Sequence, residues 1–302
     1  MKAFIIGSGT LGSTTAFLLA EHGLYDDVVL FDPYEPLAVN HAMDLTQAFC
    51  LTTDPTVRAG SLEDMVGSDL VVMSAGLRSK AATPDFVGTA IEMAPLIESI
   101  ANGLKTAPDA IVITMTNPVD ALSYLLCRLS GLPERQFLGF AWNDSLRFRW
   151  AIAKHFGVKP EEVSAYMVGE HGRSKLAVWS DVSIRGEKHT FTQEERDAVA
   201  AVQNGFWDEF MKVSSLRTAG WTTAYGCLQQ VRYVLGVNEG WCPCSVIDGD
   251  HSAGRPAKLG PNGLVEAKEL HLAADEQALY DASVAKIREM ITQIAQGAGW
   301  NI

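Results

Sequence analysis

Three short segments place reactive residue types at telling distances. In Gly169-Glu170-His171-Gly172 an imidazole sits between glycines, just after an apolar run. Histidine exchanges a proton near neutrality, and glycine on both sides suggests that backbone packs closely around it. The other six histidines, at 22, 41, 155, 189, 251 and 271, have no such setting. Asp144-Ser145-Leu146-Arg147 opens a helical stretch. Residues three apart share a helix face, so this carboxylate and guanidinium point into one volume, although alone such a pair is usually a surface salt bridge. The third segment, Gly7-Ser8-Gly9-Thr10-Leu11-Gly12, has the form G-x-G-x-x-G.

That glycine pattern follows a strand and opens a helix, the context in which it cradles a pyrophosphate. The first glycine allows a tight turn, the second admits a phosphate to the backbone, and the third lets helix and strand pack. The helix start adds free N–H groups and a positive dipole end. Asp32 closes the second strand, where an acid hydrogen-bonds the adenosine ribose and repels the extra phosphate of NADP. No Arg or Lys follows in Pro33-Tyr34-Glu35, so the expected cofactor is NAD. Asn117-Pro118 follows a further strand at the same sheet edge, where the nicotinamide should lie; a plain turn is the alternative.

Positioning these groups requires a scaffold. The first half alternates strand-like runs (Ala3–Ile6, Val28–Phe31, Leu70–Ser74, Ile111–Thr114, Phe137–Phe140) with amphipathic stretches at Thr10–His22, Ala38–Phe49, Asp85–Lys105 and Val119–Leu129. That rhythm predicts an α/β Rossmann fold, a doubly wound parallel sheet that binds ligands beyond the carboxyl ends of its strands. After Phe140 the order changes. A helix over Asp144–Phe156, strands at Val163–Val168 and Ala177–Ile184, helices over Gln193–Leu216 and Thr222–Leu235, a short strand region and a helix over Ala274–Gln296 are expected. The division is therefore residues 1–140 for the cofactor and 141–302 for an α+β substrate unit docked on it, without a flexible linker.

Composition narrows the class. Of 302 residues 47% are hydrophobic and 20% charged, enough for a sizeable core. A formal net charge of −12 argues against nucleic acid and anionic membrane as partners. It leaves room for a small anion held by local cations. The start, Met1 to Gly7, has too short an apolar stretch for a signal peptide, and no run is long enough to span a bilayer. Five scattered cysteines suggest reduced thiols and a cytoplasmic setting. Cys242-Pro243-Cys244 could join His251 at a metal, but it lacks a second cysteine pair and fits a turn equally well, so no metal is expected.

Taken in order, GSGTLG, VVLFD, AMDL, Ser74-Ala75-Gly76, TNPVD, DSLRFR, GEHG and GWTT resemble the lactate/malate dehydrogenase family from about Met1 to the final helix. The resemblance implies an NAD-dependent dehydrogenase of an L-2-hydroxy acid. In it, His171 takes the substrate hydroxyl proton, Asp144 orients the imidazole, and Arg147 grips the substrate carboxylate. Asn117 lies near the nicotinamide and the reacting oxygen. Gly7, Gly9, Thr10, Leu11, Gly12, Asp32, Ser74, Ala75 and Gly76 hold the cofactor. It also implies a homodimer or homotetramer.

The segment after Gly76 departs from the family. It is about two residues shorter, and the family's carbonyl-polarising arginine has no counterpart, Thr83 or Pro84 standing there. The position that reads the substrate side chain falls on Ser79, and an expected asparagine on Ala90. Three explanations are open. Arg78 or Lys80 swings in as a substitute, the substrate brings its own charge or bulk, or cofactor binding persists with little catalysis. Arg78 serves equally as a contact to cofactor phosphates. Thr222 resembles the lactate-type residue at the back of the pocket, Asn143 is polar where the family is aliphatic, and Trp142 and Trp221 are candidate pocket walls. Together they suggest an acid larger or more polar than lactate. The competing class is a non-catalytic NAD(H)-binding sensor or scaffold, which would not need His171, Asp144 and Arg147 together. An NAD-using glycoside hydrolase would need a longer chain and a metal.

Overall fold

The computed structural model describes residues 1–77, 85–213 and 219–302. Its first half runs β1 (Lys2–Ile6), α1 (Thr10–Glu21), β2 (Asp27–Phe31), α2 (Glu35–Phe49), β3 (Thr56–Ala59), β4 (Leu70–Met73), α3 (Phe86–Glu92), α4 (Ala94–Leu104), β5 (Ile111–Thr114), α5 (Val119–Ser130) and β6 (Phe137–Phe140). These six strands are parallel, in the order β6-β5-β4-β1-β2-β3, which makes the doubly wound parallel sheet expected. Each inner strand is buried on both faces, which is why β1, β4 and β5 read as unbroken apolar runs. Ala3 and Ile5 face a layer with α1 and α2, while Phe4 and Ile6 face one with α4 and α5.

The second half opens with α6 (Trp142–Phe156) and five two-residue strands: β7 (Val163–Ser164), β8 (Met167–Val168), β9 (Leu176–Ala177), β10 (Ser183–Ile184) and β11 (Glu187–Lys188). Then come α7 (Gln193–Val213), α8 (Gly220–Val234), β12 (Cys242–Asp248), β13 (His251–Gly260), β14 (Gly263–Ala267) and α9 (Ala274–Ala298). Strands β12 to β14 are antiparallel and extend the same sheet, β12 pairing with β6 over Cys244 to Val246. Pro243 lies just past that pairing, so its missing N–H costs no ladder bond to β6.

Four local readings change. The strand β3 was not anticipated; its short sequence, Thr56-Val57-Arg58-Ala59, buries only Val57, so it carries little hydrophobic signal. The helix expected over Asp85–Lys105 is two, because Pro95 in the first turn of α4 starts a new helix after Met93. The strands expected at Val163–Val168 and Ala177–Ile184 shrink to fragments, with a 3₁₀ turn at Trp179–Asp181 inside the second. The strand region before the last helix is longer than expected, three strands instead of a short one. Among the described residues no helix is long and apolar enough to cross a membrane.

Candidate active site

The glycine loop joins β1 to α1. Gly7 has φ +93°, and a Cβ there would stand 2.5 Å from the Ala75 backbone. A Cβ on Gly12 would stand 1.7 Å from the Gly7 carbonyl oxygen and 2.7 Å from Ser74 Oγ. Both positions are closed to larger residues by contact between the β1 and β4 ends. Gly9 differs, since its Cβ would meet nothing within 4 Å. The space beside it is open to a ligand, as the cofactor reading requires. No side chain caps α1, and Thr10 at its start is exposed, leaving helix N–H groups for an anion. Leu11 is half-buried against the layer beneath.

Asp32 holds this loop from the end of β2. Its carboxylate accepts from Ser8 N at 2.7 Å and from Tyr34 N at 2.9 Å. Each carboxylate oxygen has a second acceptor site, so ribose hydroxyls can still be bound. Ser74 Oγ donates to the carbonyls of Ile6 and Gly7 at 3.0 Å, and Thr116 Oγ1 to Ala75 O at 2.6 Å. These bonds lock the ends of β1, β4 and β5 side by side. Gly76 is exposed at that edge. The loop thus fits a dinucleotide in shape and in its free donors.

His171 stands on the loop after β8. Gly169 has φ +87°, exchanges two backbone hydrogen bonds with Gly254 of β13 (2.9 and 2.8 Å), and a Cβ there would strike Ser283 Oγ at 2.5 Å. At Gly172 a Cβ would strike the Glu170 carboxylate, which folds back to accept from Ser174 N. Positive φ and close packing therefore explain Gly169, whereas at Gly172 only the flexible end of Glu170 would have to move. Glu170 N donates to Ser283 Oγ on α9 at 2.8 Å, and His171 N to Asp120 Oδ2 on α5 at 2.6 Å. Asp120 also accepts from Ser245 Oγ of β12, itself 2.7 Å from Ser252 Oγ.

The imidazole meets its partner from α6. His171 Nδ1 lies 2.6 Å from Asp144 Oδ2, with the side chains 19% and 6% exposed. Lys175 Nζ approaches the other oxygen, Asp144 Oδ1, at 3.1 Å. Burial would raise the Asp144 carboxyl, but the charges of His171 and Lys175 hold it well below the usual range. Burial would lower His171, yet the Asp144 carboxylate wins and its pKa is raised. Burial pushes Asp120 up to about 6, against its hydrogen bonds from Ser245 and the His171 amide. Arg147, one turn beyond Asp144, is half-buried, and burial lowers its pKa while Asp144 opposes the shift.

Around this core, Asn143 is buried and its Nδ2 donates to Thr223 Oγ1 at 2.8 Å, while its Oδ1 has no partner among the described residues. Thr222, next to that partner at the start of α8, is half-buried. Trp142 packs against Tyr233 and the α8 glycine Gly226, whereas Trp221 is 71% exposed. Asn117 follows β5 through a cis bond to Pro118 and is half-buried at the sheet edge. Arg78 and Ser79, with Lys80, Thr83 and Pro84, lie outside the described residues. Ala90 is fully buried in α3, facing the core. Asp120, Lys175 and Ser245 were not singled out from sequence. The TNPVD motif contained the first, but nothing local tied Lys175 to Asp144.

Comparison with known proteins bears on the whole length. Residues 1–139 match the lactate/malate dehydrogenase NAD-binding domain, and residues 143–297 match the α/β C-terminal domain of the same family. The chain belongs to the lactate/malate dehydrogenase family. A probable L-lactate dehydrogenase of Schizosaccharomyces pombe is 30% identical over 310 residues, covering 97% of this chain and 93% of that one. The lactate dehydrogenase of Cryptosporidium parvum, solved with lactic acid and nicotinamide adenine dinucleotide, superposes with TM-score 0.88 at 29% identity, covering 97% of each chain. The malate dehydrogenase of the same organism gives 0.87 at 27% identity, with 98% and 99% covered. The family dehydrogenates 2-hydroxy acids with NAD, and this member is such an enzyme. A non-catalytic binder is not favoured.

Proposed function

We propose that this dehydrogenase interconverts an L-2-hydroxy acid larger or more polar than lactate with its 2-oxo acid, using His171 as the proton acceptor. The observation that carries the reading is the 2.6 Å pair of His171 and Asp144 with Arg147 one helical turn away, at the sheet edge that also holds the glycine loop. NAD would be held by Gly7, Gly9, Thr10, Leu11, Gly12, Asp32, Ser74, Ala75 and Gly76, and when bound it supplies the hydride acceptor. The protein's own part is to bind, orient and move a proton. Asp144 accepts from Nδ1, which leaves Nε2 free to take the substrate hydroxyl proton. As the proton arrives, the carboxylate stabilises the imidazolium. Arg147 offers a planar fork matched to a carboxylate, and Asn117 an amide near the reacting oxygen.

Substrate size is read from Asn143 and Thr222. A buried amide oxygen without a partner favours a donor arriving with the substrate. Arg78 and Ser79 would meet the same side chain or, for Arg78, the cofactor phosphates. We place the division into cofactor and substrate units near Phe140. A cytoplasmic setting is supported by five unpaired cysteines. A homodimer or homotetramer is supported by the exposed Tyr34, Val39 and Met43 at and along α2 and Trp221 and Tyr225 on α8.

The test is NADH consumption by the purified protein against pyruvate, oxaloacetate and branched, aromatic and polar 2-oxo acids. A polar or bulky acid should exceed pyruvate in kcat/KM by tenfold or more, on the order of the discrimination a few pocket contacts provide. Pyruvate as the best substrate would reject the size assignment, and no turnover of any acid would reject the enzyme reading.

A further inference from the structure

One carboxylate serves two cations. Asp144 gives Oδ2 to His171 and Oδ1 to Lys175, at 2.6 and 3.1 Å. Lys175 sits four residues beyond His171 on the same loop and is 31% exposed, while Asp144 is 6% exposed. This is no surface ion pair of negligible effect, because its acidic member is desolvated and belongs to the reacting dyad. We propose that Lys175 is a positioning residue for proton transfer: its ammonium fixes the Asp144 carboxylate and offsets part of its charge, so that His171 gives up its proton more readily than Asp144 and Asp120 alone would allow. The inference rests on His171 being the proton acceptor.

Asp144 from α6 and Asp120 from α5 both favour the imidazolium, and Lys175 opposes it. Glu170, beside His171, turns toward Ser174, and Arg147 acts on Asp144 from the next helical turn. Tyr280 of α9 bears on Asp120 only when ionised, and burial raises its pKa. Two carboxylates without the lysine would hold the proton too tightly. A base protonated at working pH cannot accept a proton from the hydroxy acid. Lysine also has a short path to this place, since the loop is fixed at Gly169, Glu170 and His171 by β13, α9 and α5.

The experiment compares the full-length protein with Lys175→Met and Lys175→Arg. Histidine labelled at Cε1 is titrated by NMR, with His171→Gln assigning the signal, and the pH dependence of kcat/KM for hydroxy-acid oxidation is recorded. Lys175→Met should raise the His171 pKa by about one unit. The acidic limb of the oxidation profile should move up with it, about a tenfold loss on that limb. Lys175→Arg should restore both to near the parent. An unmoved His171 pKa in Lys175→Met, or an equal shift in Lys175→Arg, overturns the proposal. If Lys175→Met does not fold, Lys175→Gln takes its place with the same expected direction. The titration needs no turnover, so a shifted pKa in a protein inactive on every acid upholds the electrostatic action of Lys175 on His171 and rejects His171 as the proton acceptor instead.

Discussion

The glycine loop and the His171 loop both leave a strand through a glycine at positive φ, Gly7 at +93° and Gly169 at +87°. They are made of different materials. The first is contiguous backbone shaped by steric exclusion, with Asp32 and Ser74 as struts. The second gathers charged side chains from α5, α6 and its own loop around one histidine. A cradle of backbone tolerates changes of charge around it and fails when atoms are added. A cluster of charges in a desolvated site behaves the other way, because each unit charge there acts through a low dielectric.

The largest loss is expected at the imidazole. Replacing His171 by Ala should lower kcat by about 10³-fold, within the range general acid–base catalysis contributes. NADH affinity by fluorescence titration should stay within about twofold, since the hydrogen bond and ion pair described for that imidazole run to Asp144 and not to the cradle. A parallel loss of NADH binding would show that the two regions are one unit.

Next in size is the buried Asp120. Its pKa is raised from 3.8 to about 6, so the folded protein binds this proton more tightly than the unfolded chain. Stability from this group is therefore greatest at low pH and is lost as pH rises from about 4 to about 6, by about 3 kcal/mol. Asp120→Asn abolishes the titration. Urea unfolding of both proteins across that window should show the parent losing stability relative to the variant as pH rises. Parallel curves would mean that the carboxyl is not held in this way.

Adding one methyl group tests the other region. Gly12→Ala places a Cβ 1.7 Å from the Gly7 carbonyl oxygen. Overpacking of this kind costs about 1–3 kcal/mol, and here it should also distort the phosphate loop. Thermal unfolding should fall by several degrees and NADH binding should weaken, with the His171 pKa unmoved. A variant of parental stability and affinity would show that the loop gives way freely.

Sequence made the first region far more legible than the second. Steric rules act over a few residues, so Gly7, Gly9 and Gly12 followed by Asp32 could be placed without coordinates. Parallel strands buried on both faces announced themselves as apolar runs, whereas β3, with Val57 alone buried, did not. Asp144 and Arg147 were visible as a helical pair, but the meeting of Asp144 with His171 is a product of tertiary packing. Lys175 was invisible for the same reason: only the closure of the β8 loop over α6 brings an ammonium to Asp144 Oδ1. Asp120 lay inside a quoted motif, yet its bond to the His171 amide joins α5 to a loop far along the chain.

The smallest expected effect lies where the two materials meet, at Asp32, a charged side chain working inside the backbone cradle. Its oxygens accept from Ser8 N and Tyr34 N, so Asp32→Ala removes acceptors from the glycine loop, from the turn after β2 and from the ribose. The loop retains its steric definition from Gly7 and Gly12, so it should stay formed. A charged hydrogen bond contributes about 1.5 kcal/mol, which predicts roughly a tenfold weaker NADH dissociation constant. Without the carboxylate the penalty on a ribose phosphate also falls, so NADPH should bind no worse than in the parent, and the ratio of the two constants should narrow. Fluorescence titration with both cofactors measures this directly. If both weakened equally, Asp32 would act only by shaping the loop. If neither changed, backbone alone would be sufficient to hold the nucleotide.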